Sequence, residues 1–320
     1  MITSDPLVKA FNAKYKGKYE INHIIAEGNL GIVYRGSKYI VKDYPVAVAI
    51  KIGRLAYDLE AYYNYVTPAF LREAKAMADI SSLHVVKSYG HGKFKHENIL
   101  RYFVVMEFLK GHTLEEVIKS CVPADQMPIK MPPKELGDFN WIAECLSCVL
   151  KGLGDMHKKG IIHGDLKPSS LLLHNFYPQS VDIIDLGSAT YEKDIERLKK
   201  LKRWTKKDKQ EYGLYASTGW FSSPEQKLEE WASKDSDLWS IGMIAYLLLT
   251  ARKGSAKFVS SVKKQNPKVP DLLNKFLLKA LNKNIKKRYR SAGEMKKALD
   301  EFIETKKPMT FKEVENEIGN

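Results

Sequence analysis

His163-Gly164-Asp165-Leu166-Lys167-Pro168-Ser169-Ser170 and, fifteen residues on, Asp185-Leu186-Gly187 decide how this chain reads. Leu171–Leu173 follows the first run and Val181–Ile184 precedes the second. Both segments are short, apolar and strand-like, and a polar turn containing Pro178 joins them. Aspartates at the ends of neighbouring strands can converge on one point. One carboxylate can then orient a hydroxyl nucleophile while the other holds a hard cation such as Mg2+. Two turn aspartates are the plainer alternative. Lys167 argues against it, because it places a cation where the charge of a transferred phosphate would develop.

Upstream, residues from Tyr19 to Phe108 are β-rich, with strand-like pieces at Ile32–Tyr34, Val46–Ile52 and Tyr102–Met106. One helix interrupts them. Thr67 reads as its N-cap, Pro68 as its first turn, and Phe70, Ala74 and Met77 recur at helical spacing. Glu27-Gly28-Asn29-Leu30-Gly31-Ile32-Val33-Tyr34 is a glycine turn entering a strand, where backbone N–H groups can approach phosphate oxygens. Alone it would be a hairpin. Lys51 closes the apolar run Val48-Ala49-Ile50, and burial there requires a partner. Glu73 on the helix is the candidate, and a solvated strand-end lysine is the alternative.

Downstream of Gly111 the pattern turns helical. Cys121 to Gly137 holds four prolines and reads as a loop. Ile142, Cys145, Leu146, Val149, Leu150, Leu153 and Met156 mark one face of a long helix ending near Gly160. The remainder, from about Asp235, is helical.

The bulk properties exclude several classes. The 320 residues carry 52 Lys or Arg against 38 Asp or Glu, a formal charge of +14, which favours anionic partners. Three cysteines, Cys121, Cys145 and Cys148, do not make a disulfide framework and fit a reducing compartment. Cys145-x-x-Cys148 lies within a helical pattern without a second ligand pair, so it reads as buried packing rather than zinc or redox chemistry. The longest apolar run, Ile241 to Ala251, is too short to span a bilayer. The expectation is a cytoplasmic protein without a membrane span.

Taken in order, these elements resemble the protein kinase superfamily, Ser/Thr branch, from about residue 19 to 303. The series runs Gly28/Gly31/Val33, Val48-Ala49-Ile50-Lys51, Glu73, Met106-Glu107, His163 to Pro168 and Asp185-Leu186-Gly187. It continues through Ser223-Pro224-Glu225, Asp237-Leu238-Trp239-Ser240-Ile241-Gly242 and Arg288. The resemblance implies an α+β bilobal fold. It divides the chain into an N-terminal extension (1–18), a small β-rich lobe (19–110), a larger helical lobe (111–305) and a tail (306–320). It also implies ATP with Mg2+, Mn2+ being a further candidate, and a protein substrate. Gly28, Gly31, Val33, Ala49, Met106, Glu107 and Leu109 would hold the nucleotide, with Met106 as gatekeeper and Glu107 to Leu109 as the adenine hinge. Lys51, paired with Glu73, would contact the α/β-phosphates. Asp165, Lys167 and Thr218 would be catalytic, and Asp185 and Ser170 would hold metal. Glu225 would pair with Arg288, and Asp237 would tie down the loop bearing Asp165.

The chain departs from the family pattern at named positions. Ala26 stands where the first glycine of the loop belongs, and Ser170 where an asparagine ligates a second metal. Gly164 replaces the arginine that binds a phosphorylated activation segment, so activity is expected not to depend on phosphorylation of Thr205 or its neighbours. Leu186 replaces phenylalanine, and the segment between Thr250 and Pro270 is short enough that a docking helix there is reduced or missing. The Lys-rich segment 193–209 suits acidic substrates or is simply a solvated helix, and its single Arg203-Trp204 pair is too thin for nucleic-acid recognition. Two readings compete with an active kinase. One is a pseudokinase that binds nucleotide as a scaffold. The other is a small-molecule kinase, since His-Gly-Asp is typical of that class; Ser-Pro-Glu and Asp-x-Trp-Ser-x-Gly argue against it. The sequence leaves the oligomeric state open.

Overall fold

The computed structural model describes residues 4–28, 30–41, 44–55, 59–120, 138–175, 177–200, 219–229, 231–250 and 262–305. Helix α1 (Pro6–Lys14) starts at Asp5, whose side chain accepts the Leu7 N–H at 2.8 Å. Five strands follow: β1 (Tyr19–Glu27), β2 (Gly31–Val41), β3 (Tyr44–Gly53), β4 (Ser88–His96) and β5 (Ile99–Glu107). They form one antiparallel sheet in the order β1-β2-β3-β5-β4. Between β3 and β4 come a helical turn (Leu59–Ala61), a π-helical turn (Tyr62–Val66) and α2 (Thr67–Asp79).

The central strand β3 explains the unbroken apolar run around Lys51. Side chains alternate across a strand, and both faces of β3 are covered. Val48, Ile50 and Ile52 enter a core with Val8 and Phe11 of α1 and with Phe94 and Phe103. Ala49 belongs to the opposite core, which includes Phe70, Ala74 and Met77 of α2 and extends into the large lobe. Phe11 is fully buried and meets Phe94 and Phe103 edge-to-face at centroid distances of 5.3 and 5.0 Å. Burying such a ring contributes about 1.5–3 kcal/mol. The helix within residues 1–18 thus roofs the outer face of the sheet.

The large lobe contains β6 (His112–Thr113), α3 (Leu114–Ser120), α4 (Phe139–Lys158) and β7 (Ile161–Ile162). A 3-10 turn (Pro168–Ser170) leads to β8 (Leu171–Leu173), β9 (Val181–Ile183) and β10 (Thr190–Tyr191). Then come α5 (Glu192–Lys199), α6 (Pro224–Glu229), α7 (Lys234–Thr250), α8 (Asp271–Ala280) and α9 (Ala292–Glu304). The β-sheet lobe joined to a helical lobe is the α+β bilobal fold the sequence implied. Helix α7 is buried on every side from Ser236 to Leu249, which accounts for its apolar run. No helix among the described residues is long and apolar enough to cross a membrane.

Several local expectations need correction. Thr67 is not an N-cap: Val66 before it is already helical and no side chain caps the helix. The π turn continues the helix backwards because Tyr62 and Val66 are buried, and the Tyr62 hydroxyl accepts the Tyr102 N–H at 3.2 Å. The start of the Lys-rich segment is not a purely solvated helix, since Ile195 and Leu198 of α5 are buried. The Cys145 and Cys148 expectation, by contrast, stands: both are free and buried in α4. The proline-rich stretch 121–137, residues 201–218 (with Thr205 and Thr218), 251–261 and the tail 306–320 lie outside the described residues.

Candidate active site

The site lies where the sheet of the small lobe meets the loops of the large one. Lys51 on β3 faces α2, and its Nζ lies 2.9 Å from both carboxylate oxygens of Glu73. The same ammonium is 3.1 Å from Asp185 Oδ1. Glu73 is buried, whereas the Asp185 side chain keeps 47% of its surface exposed. The solvated-lysine alternative is therefore excluded. Burial opposes the charge on Lys51, but Asp185 and Glu73 together hold its pKa above the ordinary lysine range. The Lys51 charge holds the Asp185 carboxyl well below the usual carboxylate range. Burial pushes Glu73 upward against the pull of Lys51.

Asp165 and Lys167 follow β7 on one loop. Lys167 Nζ is 2.5 Å from Asp165 Oδ2. Three donors converge on Asp237 of α7 to fix this loop: the His163 N–H at 2.9 Å, the Gly164 N–H at 2.9 Å and His157 Nε2 at 2.8 Å. This is the anchoring the sequence implied for Asp237. The Asp165 N–H donates to His163 Nδ1 at 3.3 Å, so that ring nitrogen accepts and carries no proton. Burial lowers the His163 pKa against the upward pull of Asp237, Asp185 and Asp165.

Gly164 is required by its surroundings. Its φ is +82°, and a Cβ there would lie 2.9 Å from the Ser188 carbonyl oxygen. The Gly164 carbonyl accepts from Gln226 Nε2 at 2.6 Å. An arginine at this position would strain the turn and push against the backbone at Ser188.

Ser170 is buried in the 3-10 turn. Its Oγ accepts the Lys167 N–H at 3.3 Å and donates to the Asp165 carbonyl at 3.4 Å. Its hydroxyl therefore braces the loop and retains one lone pair for another contact. Asp185 Oδ1 also accepts the Gly187 N–H at 3.1 Å. Leu186 is fully buried in the core that includes Phe70, Ala74 and Met77, so leucine keeps the packing beneath α2.

The walls of the cleft are apolar. Ala49 pairs with Met106 across β3 and β5, and Val48 with Glu107. Val33, Leu109 and Leu30 pack half-buried against the core shared by the lobes. Gly28 donates its N–H to the Gly31 carbonyl at 2.9 Å. A Cβ on Gly31 would lie 2.7 Å from the Ile52 carbonyl oxygen and 2.9 Å from the Phe70 ring, so only glycine lets the loop sit this close. The structure thus joins Lys51, Glu73 and Asp185 by direct contacts, joins Asp165, Lys167 and Ser170 within one loop, and sets Ala49 against Met106 across the sheet, with Val33 and Leu109 packed on the core shared by the lobes. Thr218 lies outside the described residues.

Glu225 and Arg288 brace the large lobe. The guanidinium forks onto both Glu225 oxygens at 2.6 and 2.9 Å and donates to the Asn282 carbonyl at 2.7 Å. It also lies 4.7 Å from the Trp239 ring centroid. Sequence reasoning missed His157, Gln226 and Leu30. Gln226 directly follows Ser-Pro-Glu, and His157 lies six residues before His163, but neither spacing signals a role without the fold.

Comparison with known proteins agrees with this geometry. Residues 19–309 match the family described as "Protein kinase domain". The chain is 28% identical over 294 residues to the probable serine/threonine-protein kinase PknB of Lactococcus lactis, covering 88% of this chain and 41% of that protein. It is 27% identical over 295 residues to serine/threonine-protein kinase PrkC of Bacillus subtilis, covering 88% and 40%. It is 25% identical over 304 residues to serine/threonine-protein kinase PknD of Chlamydia pneumoniae, covering 89% and 31%. The chain therefore spans less than half the length of these curated relatives.

Proposed function

We propose that this chain, which belongs to the protein kinase domain family, transfers the γ-phosphate of ATP to serine or threonine hydroxyls of proteins. The convergence of Lys51, Glu73 and Asp185 within 3.1 Å carries this reading, and the Asp165–Lys167 pair on the loop that Asp237 anchors supports it. Phosphoryl transfer asks a protein mainly for positioning and charge. Lys51, held by Glu73, would meet the α/β-phosphates. Asp185, ionised and half-exposed, would hold a divalent cation, Mg2+ or Mn2+, that neutralises phosphate charge when bound. The spare lone pair of Ser170 offers a second, weaker oxygen. Asp165 would orient the substrate hydroxyl and accept its proton, and Lys167 would turn to the charge that develops on the γ-phosphate. Thr218 would hydrogen-bond Asp165 and Lys167. Ala49, Val33, Met106 and Leu109 would sandwich the adenine, with the Glu107 to Leu109 backbone reading its edge.

Gly164 supports a second element of the proposal, activity without activation-segment phosphorylation, because its left-handed turn leaves no side chain to bind a phosphate there. Acidic protein segments are the substrates favoured by the +14 charge, and the cytoplasm the compartment favoured by the sparse cysteines.

One assay tests these points. Phosphatase-treated wild type and Asp165→Asn are given labelled ATP and Mg2+ with acidic and basic proteins. Wild type should label Ser and Thr, and Asp165→Asn should lose at least about 100-fold in rate. Equal labelling by both proteins would remove Asp165 from its role. Binding of ATP without transfer by wild type would move the reading to a nucleotide-binding scaffold, or to an enzyme that needs phosphorylation.

A further inference from the structure

We infer that Tyr191 is a positioning residue: its hydroxyl latches the start of the activation segment to the C-terminal end of α2 through Asp79, holding Glu73 against Lys51. The inference rests on the kinase reading above and concerns how that site is kept assembled.

Tyr191 stands six residues after Asp185, in β10, which pairs with β7 through Tyr191 and Ile161. The Glu192 N–H also donates to the Gly160 carbonyl at 2.8 Å, and Lys234 Nζ lies 2.6 Å from Glu192 Oε2. Tyr191 is therefore fixed to the frame of the large lobe. Its ring is buried, with 6% exposed. From that position the hydroxyl donates to Asp79 Oδ2 at 2.5 Å.

Asp79 is the last residue of α2 and lies six residues beyond Glu73. Lys75, on the same helix, places its Nζ 4.3 Å from the Tyr191 ring centroid, and Lys193 lies 5.4 Å from it. Besides the apolar core it shares with the large lobe, helix α2 meets that lobe through polar contacts at two places: at Glu73, through the Lys51 ammonium that Asp185 shares, and at its end, where Asp79 and Lys75 meet Tyr191. An equilibrium between an engaged and a withdrawn α2 is biased by any contact made only in the engaged state. The Tyr191 hydroxyl makes such a contact, because its anchor does not travel with α2. Gly164 gives the latch a reason. With no arginine before Asp165, a phosphorylated segment has no cation there to pull it into order, whereas the Tyr191–Asp79 bond needs no modification.

A cavity of about 380 Å3 lined by Asp79, Lys159, Gly160, Tyr191, Glu192, Lys193 and Glu196 adjoins the bond. Water can reach Asp79 if the hydroxyl is removed, which limits the loss.

The test compares Tyr191→Phe, which keeps the ring, with Asp79→Ala, Asp79→Asn and the double variant Tyr191→Phe/Asp79→Ala. Tyr191→Phe and Asp79→Ala should each lower kcat about 3- to 10-fold, the range open to one charge-assisted hydrogen bond partly replaced by water. The dissociation constant for ATP should move less than about twofold, since the hinge is untouched. The double variant should fall no further than either single variant. Asp79→Asn keeps an acceptor oxygen and should restore the rate to within about twofold of wild type. Amide hydrogen exchange over residues 70–79 should quicken in Tyr191→Phe, a readout that needs no phosphotransfer. Wild-type kcat together with unchanged exchange in Tyr191→Phe would overturn the latch. So would additive losses in the double variant. Faster exchange in Tyr191→Phe, in a wild type that transfers no phosphate, would keep the latch and overturn the kinase reading instead.

Discussion

Two buried carboxylate–cation pairs, one at the joint of the lobes and one inside the large lobe, are built for opposite purposes. The Lys51 ammonium meets two carboxylates, the buried Glu73 and the half-exposed Asp185. A lysine is a compact charge on a rotatable stem and can share itself among partners that change. The Arg288 guanidinium is fully covered, forked onto Glu225, bonded to the Asn282 carbonyl and lodged by Trp239. A planar fork with fixed donors locks one arrangement. The difference separates chemistry from architecture: the joint keeps a movable charge beside an open carboxylate, and the large lobe keeps a rigid bolt.

Breaking the first pair should cost mostly rate. Lys51→Ala is expected to lower phosphotransfer at least about 100-fold, as removal of a single donor to developing charge does in other enzymes. Stability should fall by less than about 2 kcal/mol, below the figure usual for a broken buried pair. Burial already pushes Glu73 upward, so without Lys51 the carboxyl can take a proton, or α2 can carry it toward water. Rates together with denaturant unfolding of the variant check both halves. A stability loss as large as that of the second pair would show the two to be alike.

Breaking the second pair should cost mostly fold. Arg288→Met leaves Glu225 in a buried site without its cation, and a loss of about 3–5 kcal/mol is expected. Activity per folded molecule should change less than about tenfold, because Arg288 touches no part of the cleft. The pair also predicts an acid dependence. Burial works against the Glu225 charge, but hydrogen bonds from Arg288 hold its carboxyl below the ordinary glutamate value. A folded-state pKa below the unfolded one gives stability that is present above about pH 4.3 and is lost as pH falls through the lowered value. The gap in unfolding free energy between wild type and Arg288→Met should therefore narrow on acidification below pH 4.3. A gap constant from pH 7 to pH 3 would mean that Arg288 acts by packing alone.

The contrast also tracks what could be read in the sequence. Lys51, Glu73, Asp165, Lys167 and Asp185 were singled out by the resemblance to the protein kinase superfamily, whose motifs come in that order; the residues alone left a solvated lysine and a pair of turn aspartates open. Strands 171–173 and 181–183 were legible because each is a short apolar run between turn signals. Helix α1 was not, because its nine residues show their partner only once Phe11 meets Phe94 and Phe103 across the sheet. The π turn at Tyr62–Val66 was hidden for a similar reason: Tyr62 and Val66 are held by contacts that no local periodicity encodes. Tyr191 and Asp79 lie 112 residues apart, and each alone reads as an ordinary strand or helix end.

The smallest expected effect belongs to Ser170, which stands between the two kinds of design. Its hydroxyl braces the Asp165 loop through two long bonds, at 3.3 and 3.4 Å, and bonds of that length are weak. Ser170→Ala should therefore lower stability by only about 0.5–1.5 kcal/mol. The lone pair that remains on Ser170 makes it a poor ligand for a hard cation, whereas a carboxamide oxygen reaches farther and carries more charge. Ser170→Asn is expected to keep activity and to lower the Mg2+ concentration giving half-maximal rate by about threefold, an affinity gain of roughly 0.65 kcal/mol. Titration of the rate against Mg2+ for wild type, Ser170→Ala and Ser170→Asn decides the matter. A midpoint that moves down in the asparagine variant and up in the alanine variant places position 170 on the metal. Three coincident midpoints would make Ser170 a brace of the loop alone, leaving the cation to Asp185.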